Sequence, residues 1–299
     1  MMQFSEIGQQ LRAYRLESGL RAEEIAARLG VSRAALYRYE KGEVIKLDTI
    51  NRLAELLKIS PLSLLGIGME YYNRPIGYFE RIRQIEEQGE QILQVNDQLS
   101  YLTTSQGYDA GLHEVLEVAT RQSGADEATA RDRYEQVLGI LAERKRMYAQ
   151  RRPNIIAMLS VARLRNFLAG GVAGGIPMDN ALRLRLRRRA AEEVASIADQ
   201  MEAEPMGLQY GLLPYAEPTG AFKVIRTRDR AWLAINPFRP DAAPELSTGV
   251  AMITGAEEAI AAHQRVAESL WRDALKGAAA AARLRELIAE TELTGRSAG

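Results

Sequence analysis

Arg33 and Arg38 stand in the run Ser32-Arg33-Ala34-Ala35-Leu36-Tyr37-Arg38-Tyr39-Glu40. At about 100° per residue on a helix, Arg33, Ala34, Tyr37 and Arg38 share one arc, and Ala35, Leu36 and Tyr39 share the opposite one. The first arc has the chemistry of a base-reading surface. A guanidinium fork can donate two hydrogen bonds to a guanine edge, and an alanine methyl can contact a thymine methyl. Tyr37 and Lys41 are placed to reach phosphates, and Ser32 is the N-cap that opens the helix. The candidate DNA-contacting set is therefore Ser32, Arg33, Ala34, Tyr37, Arg38 and Lys41.

Such a helix needs a scaffold, and residues Ala22–Gly42 have the pattern of two helices crossing through a tight turn. Ala26 is small enough for the contact between them, and Gly30 can take the left-handed turn conformation. Ile25, Leu29, Val31, Leu36 and Tyr39 supply the inward side. Helical spacing of Ile7, Leu11 and Tyr14 predicts a helix before this unit, ending near Ser18-Gly19. Ile50, Leu53, Leu56 and Leu57 predict one after it, over Leu47–Leu57. Ser60 and Pro61 open a short fifth helix carrying Leu62, Leu64 and Leu65.

The rest of the chain narrows the chemistry. It has no cysteine and two histidines, His113 and His263, far apart in sequence. Thiol nucleophiles, disulfides and zinc-thiolate sites are excluded, and neither histidine is expected to act as a general base. The expectation is no enzyme, no metal and no cofactor. The 39 basic and 39 acidic residues balance, which excludes a uniformly basic coat. Residues 1–68 hold 7 Arg and 3 Lys against 7 Glu and 1 Asp, a net +2. Arg outnumbers Lys 33 to 6, a bias attributed mainly to a GC-rich genome. No apolar run has the length of a membrane span, and no leader pattern is seen. A cytoplasmic, nucleoid-associated protein without membrane contact is expected.

Residues 4–65, IGQQLRAYRLESGLRAEEIAARLGVSRAALYRYEKGEVIKLDTINRLAELLKISPLSLL in their main part, resemble the DNA-binding domain of phage repressors and Cro proteins, the XRE-type family. The resemblance implies a five-helix lambda-repressor-like fold and binding to double-stranded DNA. It also implies a structural ion pair between Arg15, late in the first helix, and Glu40, at the end of the recognition helix. Two departures stand out. Ala22 occupies the place where relatives carry a phosphate-binding Gln or Ser. Arg33-Ala34-Ala35 begins a recognition helix that is more polar in many relatives. A weaker resemblance, in RYEQVLGILAERKRMY, PNIIAMLSVARLRNFL and MEAEPMGLQYGLLP, points to a sensory domain appended to XRE-type regulators.

The expected fold class is mainly α with an α+β second domain. Residues 1–68 form the DNA-binding domain, 69–95 a linker or dimerisation helix, and 96–299 a sensory or dimerisation domain. Helices are predicted over 75–95, 110–121, 127–150, 161–168, 179–202, 256–276 and 278–290. Strands are predicted over 94–102, 154–160, 207–213, 221–227, 231–236 and 250–254. Three local features bear on chemistry. Gly170–Gly175 reads as a loop rather than a phosphate cradle, and Arg183–Arg189 reads as a solvated helix face. Tyr210, Phe222, Arg226 and Trp232 could line a ligand pocket. The expected protein is a homodimeric transcriptional regulator on a palindromic operator, with an unidentified small-molecule effector. A competing reading replaces the effector with a partner protein, as in antitoxin or phage-switch systems.

Overall fold

Five helices fold the first segment in the computed structural model, which describes residues 4–95, 99–122, 126–172, 176–215, 218, 220–238 and 248–297. They are α1 (Phe4–Ser18), α2 (Ala22–Leu29), α3 (Arg33–Glu40), α4 (Leu47–Leu57) and α5 (Pro61–Leu64). Their buried sides carry the apolar residues that the periodicity selects: Ile7, Leu11, Ile25, Leu29, Leu36, Ile50, Leu53 and Leu64. Ser60 Oγ accepts from Ser63 N at 3.0 Å and caps α5, with Pro61 in its first turn.

The remaining residues build one seven-stranded mixed sheet with helices on both faces, an α+β arrangement. Its strands are β1 (Met69–Tyr72), β2 (Gly89–Val95), β3 (Asn154–Ser160), β4 (Leu208–Leu213), β5 (Phe222–Thr227), β6 (Ala231–Ile235) and β7 (Ala251–Thr254). The spatial order is β1-β7-β6-β5-β2-β3-β4. β2, β3 and β4 run parallel, and the other neighbours are antiparallel. Parallel neighbours need crossovers. Between β2 and β3 these are α7 (Gln106–Gln122) and α8 (Glu127–Arg151); between β3 and β4 they are α9 (Val161–Gly170) and α10 (Asn180–Ala203). The chain closes with α11 (Glu257–Asp273) and α12 (Gly277–Ser297). No helix among the described residues is long and apolar enough to cross a membrane.

Alternation along the strands divides the interior into two layers. Phe222, Val224, Leu233 and Met158 pack on one face with Ile260 and Ala267 of α11. Ile92, Ile155, Ala157, Tyr210, Ile225 and Trp232 belong to the layer on the other face. This second core is continuous with Leu11, Tyr14, Leu36 and Leu53 of the helical head. Head and sheet are therefore packed as one body.

Residues 69–95 differ from the expected linker helix. Helix α6 covers only Pro75–Glu87. It is flanked by β1, an edge strand that was not predicted, and by β2 near the middle of the sheet. In β1 the period of two is hidden in the residue types, because the charged Glu70 faces inward while Met69 and Tyr71 are exposed. In 89–95, Ile92 satisfied the helical spacing, and with Glu90-Gln91 both polar and Ile92-Leu93 both apolar the run has no strict period of two, so its pattern fits neither element cleanly. The pairing with β3 and β5 decides between them. The strand expected over 94–102 thus lies earlier; residues 96–98 fall outside the described residues, and Tyr101–Thr103 is a short 3-10 turn.

The polar residues of α6 also depart from a solvated face. Glu80, Arg81, Gln84 and Glu86 are buried, because α6 lies between α1, α8 and the sheet. Each charge has a partner. Glu80 meets Arg12 at 2.9 Å and Arg83 at 2.9 Å. Glu86 takes a two-pronged bond from Arg144 of α8 at 2.8 and 2.9 Å. Arg81 gives the same fork to Glu70 of β1, at 2.8 and 2.9 Å. Gln10 of α1 donates to that Glu70 at 2.5 Å and Tyr72 donates to it at 2.8 Å. The Tyr72 ring stacks on Tyr14 of α1, 5.2 Å between centroids, and Arg81 lies over Trp232 of β6 at 5.0 Å.

A second link joins the end of α1 to the start of α6. The Glu17 carboxylate accepts from Asn73 N at 2.7 Å and Arg74 N at 3.1 Å. Burial pushes its pKa up to about 7, against the pull of those two N–H groups and of Arg74.

Two outcomes follow from these contacts. Arg81→Met leaves Glu70 buried and uncompensated, and should cost about 3–5 kcal/mol of stability in chemical denaturation. Because Glu17 holds its proton to higher pH when folded, folding takes up a proton between about pH 4.5 and 7. Its stabilising contribution is full below that window and is lost as pH rises through 7. Glu17→Gln keeps an acceptor without the charge, so the fall in stability from pH 5 to pH 8 should be smaller in that variant.

Candidate nucleic-acid interface

The turn between α2 and α3 forms as its residues require. Gly30 closes α2 in the left-handed region, φ 72°, and its successor Val31 donates to Ala26 O at 3.0 Å. Ser32 Oγ then accepts from Ala35 N at 3.1 Å and opens α3. Ala26, Ile25, Leu29, Ala35 and Leu36 are buried, and Val31 and Tyr39 are packed against them.

The opposite side of α3 faces solvent. The Arg33 and Arg38 side chains are 58% and 60% exposed. Ala34 and Lys41 are exposed as well, and Tyr37 is half-buried. The Arg33 guanidinium lies 5.3 Å from the Tyr37 ring centroid and donates to Tyr37 Oη at 3.2 Å. Arg33, Ala34, Tyr37, Arg38 and Lys41 thus lie along one helix and its end. Ser32 stands at the start of that helix, although its hydroxyl is already engaged in the cap.

Two contacts hold α3 on α1. Arg15 donates to Glu40 from Nε at 2.5 Å and from Nη2 at 3.1 Å, so the predicted pair is formed and partly buried. Gly8 of α1 lies against the last turn of α3. A Cβ at that position would come within 2.6 Å of both Tyr39 O and Glu40 O. Backbone meets backbone there, so the helix end can seat only on glycine. The isolated Gly8 inside a helical pattern was the available sign of a close packing contact.

Glu23 and Glu43 were not singled out from the sequence. Glu23 pairs with Arg33 at 2.7 Å, and Glu43 pairs with Arg38 at 3.1 Å. Each arginine that could meet a base therefore has a carboxylate beside it when no DNA is present. A modest net charge of +2 over residues 1–68 gives little sign of which cations are paired.

The residues considered for a ligand pocket do not converge. Trp232 and Tyr210 belong to the core continuous with the head, whereas Phe222 packs under α11, its ring 4.9 Å from that of His263. β6 and β4 are four strand positions apart, roughly 19 Å at the usual spacing. Tyr210 Oη bonds Thr103 Oγ1 at 2.8 Å, and Arg226 is exposed. Nearby, Arg230 pairs with Glu6 of α1 and lies 4.8 Å from Trp232. In the arginine run of α10, Arg185 and Arg189 pair with Glu114 of α7 at 3.0 and 2.7 Å. Within the glycine-rich stretch, Gly171 packs its backbone against Leu186 and Arg187 of α10; Ala173, Gly174 and Gly175 lie outside the described residues.

Residues 6–64 match the family model of a helix-turn-helix domain. No curated protein matches the chain. Five chains of solved structures do. One is TrmBL2, described as an archaeal chromatin protein whose structure shows a novel mode of DNA binding. The two share 11% identity at a TM-score of 0.33, over 77% of this chain and 60% of that one. This chain thus spans less than two thirds of that protein's length, and similarity at this level bears on neither mechanism nor partners.

The paired acids generate a test. A carboxylate beside each exposed arginine lowers the local positive potential. The double variant Glu23→Gln, Glu43→Gln should bind random-sequence duplex DNA more tightly, with a steeper salt dependence, in fluorescence anisotropy.

Proposed function

We propose that this chain is a sequence-specific DNA-binding transcription regulator that works as a homodimer on a two-fold symmetric operator. The observation that carries the reading is the division of α3. One side is fixed to the head through Leu36, Gly8 and the Arg15–Glu40 fork. The other presents Arg33, Ala34 and Arg38 to solvent. A rigid helix with an exposed arginine face can enter a major groove and exchange Glu23 and Glu43 for guanine edges. The match of residues 6–64 to a helix-turn-helix domain supports it.

Ala22 is buried and its side chain has no polar atom for a phosphate. Arg21, exposed at the N-cap of α2, is the neighbouring cation that can take that place. With a head of only +2, indiscriminate attraction is weak, and affinity rests on base contacts and on two heads acting together. The chain acts by binding alone, with no enzymatic step, in the cell compartment that holds DNA. The sheet domain positions the heads. A partner protein or small effector would act by favouring one placement over another.

Selection of bound DNA from a random pool gives the operator and its half-site spacing. Arg33→Ala with Arg38→Ala should then lower operator affinity by at least tenfold, since each good bidentate contact is worth about 1–3 kcal/mol. Circular dichroism should be unchanged, because both side chains are exposed. Unaltered operator binding in that variant would refute the assignment of α3.

A further inference from the structure

The two edges of the sheet are finished differently. At β4, Leu212 exchanges two backbone hydrogen bonds with Leu275, both at 2.9 Å, so the segment before α12 covers that edge. At the other end lies β1, paired on one side with β7. Among the described residues, no other backbone hydrogen bond involves Met69–Tyr72. In an antiparallel ladder half of a strand's N–H and C=O groups point away from its neighbour. Edge strands are commonly guarded by lysine, proline or a covering element. Met-Glu-Tyr-Tyr has neither residue, and its one charge, Glu70, turns into the core toward Arg81.

The face beside that edge is apolar. Glu70 and Tyr72 point inward, so Met69 and Tyr71 point to the other face, where Tyr71 sits opposite Met252 of β7. Helix α11 packs over β4, β5 and β6, further along the sheet. On this side Met69 and Tyr71, with Val250 just before β7, are 36%, 54% and 54% exposed, and Leu62 and Ile67 on the segment leading into β1 are exposed as well. Ile67 is tied back to Leu62 by a backbone bond of 2.9 Å.

We propose that a second copy of this chain docks here, its β1 antiparallel to this β1, so that two sheets join edge to edge. The proposal rests on the dimeric DNA-binding reading and locates the contact that reading needs. A two-fold pairing uses each open edge once and closes, whereas the covered β4 edge prevents further growth. The exposed side chains are uncharged, so the copies meet without like-charge repulsion. These half-exposed side chains offer roughly a few hundred Å² per protomer, against ~800 Å² for a standard interface. The covered strand edge adds to it. The contact is sized for a dimer that is weak alone and is completed when DNA holds both heads. β1 begins five residues after α5 ends, so the junction lies beside the heads.

The absence of cysteine makes the test direct. Tyr71→Cys carries the only thiol in the protein, and a short bis-maleimide should join two copies far faster than it joins Leu293→Cys, exposed on α12. By sedimentation without DNA, Tyr71→Lys should raise the dimer dissociation constant at least tenfold while its circular dichroism stays unchanged. Met69→Lys, at a less exposed position, gives a second variant if Tyr71→Lys does not fold. Equal association of wild type and the lysine variants, including both being monomeric, overturns the proposal, as does equal cross-linking of the two cysteine variants. These readouts contain no DNA, whereas the Arg33, Arg38 variant tests the DNA reading by itself.

Discussion

The buried Glu70–Arg81 pair is the constraint on which the rest of the molecule depends. A carboxylate and a guanidinium removed from water are tolerable only if the fork is complete and the remaining lone pairs are used. Here Arg81 supplies two donors, Gln10 a third and Tyr72 a fourth. Those donors come from α1, β1 and α6. Satisfying one carboxylate therefore fixes the first helix of the head, the edge strand and the central helix relative to one another. Trp232 under the Arg81 guanidinium adds β6 to the same junction.

The reading helix inherits that rigidity. α1 is fixed to the sheet by Gln10, Tyr14 and Glu17, and α3 is fixed to α1 by Gly8 and the Arg15–Glu40 fork. No hinge separates the head from the sheet along this path. In the proposed dimer, a change in the relative position of the two sheets would be passed to the two α3 helices without a compliant linker to absorb it. That is the physical basis on which the proposed dimer's geometry would set the distance between its two DNA-facing surfaces.

Much of the head was legible because its helices are amphipathic and short-range. Ile25, Leu29 and Leu36 occur at the spacing that their burial demands, and Gly30 and Ser32 carry their turn and cap chemistry in their own side chains. The Arg15–Glu40 pair was reached through family resemblance, since residues 25 apart give no local signal. Glu23 and Glu43 escaped notice because their pairing depends on side-chain placement across the turn. Most later helices and strands fell near their expected bounds. Residues 69–95 did not: a charge beside an apolar residue reads as a water-facing position, and nothing local reveals that Glu80, Arg81 and Glu86 have partners waiting in α1, β1 and α8.

The sequence by itself determined the local chemistry: which residues form the helix-turn-helix, which arginines face outward, and that thiol chemistry is excluded. These follow from periodicity, capping and composition, which act within a few residues. The tertiary structure alone decided that head and sheet share one core, that four aromatic and basic residues of 210–232 do not meet, and that one sheet edge is covered while the other is open. Each is set by contacts between segments tens to hundreds of residues apart. The energy of such a contact is realised only when both partners are already in place.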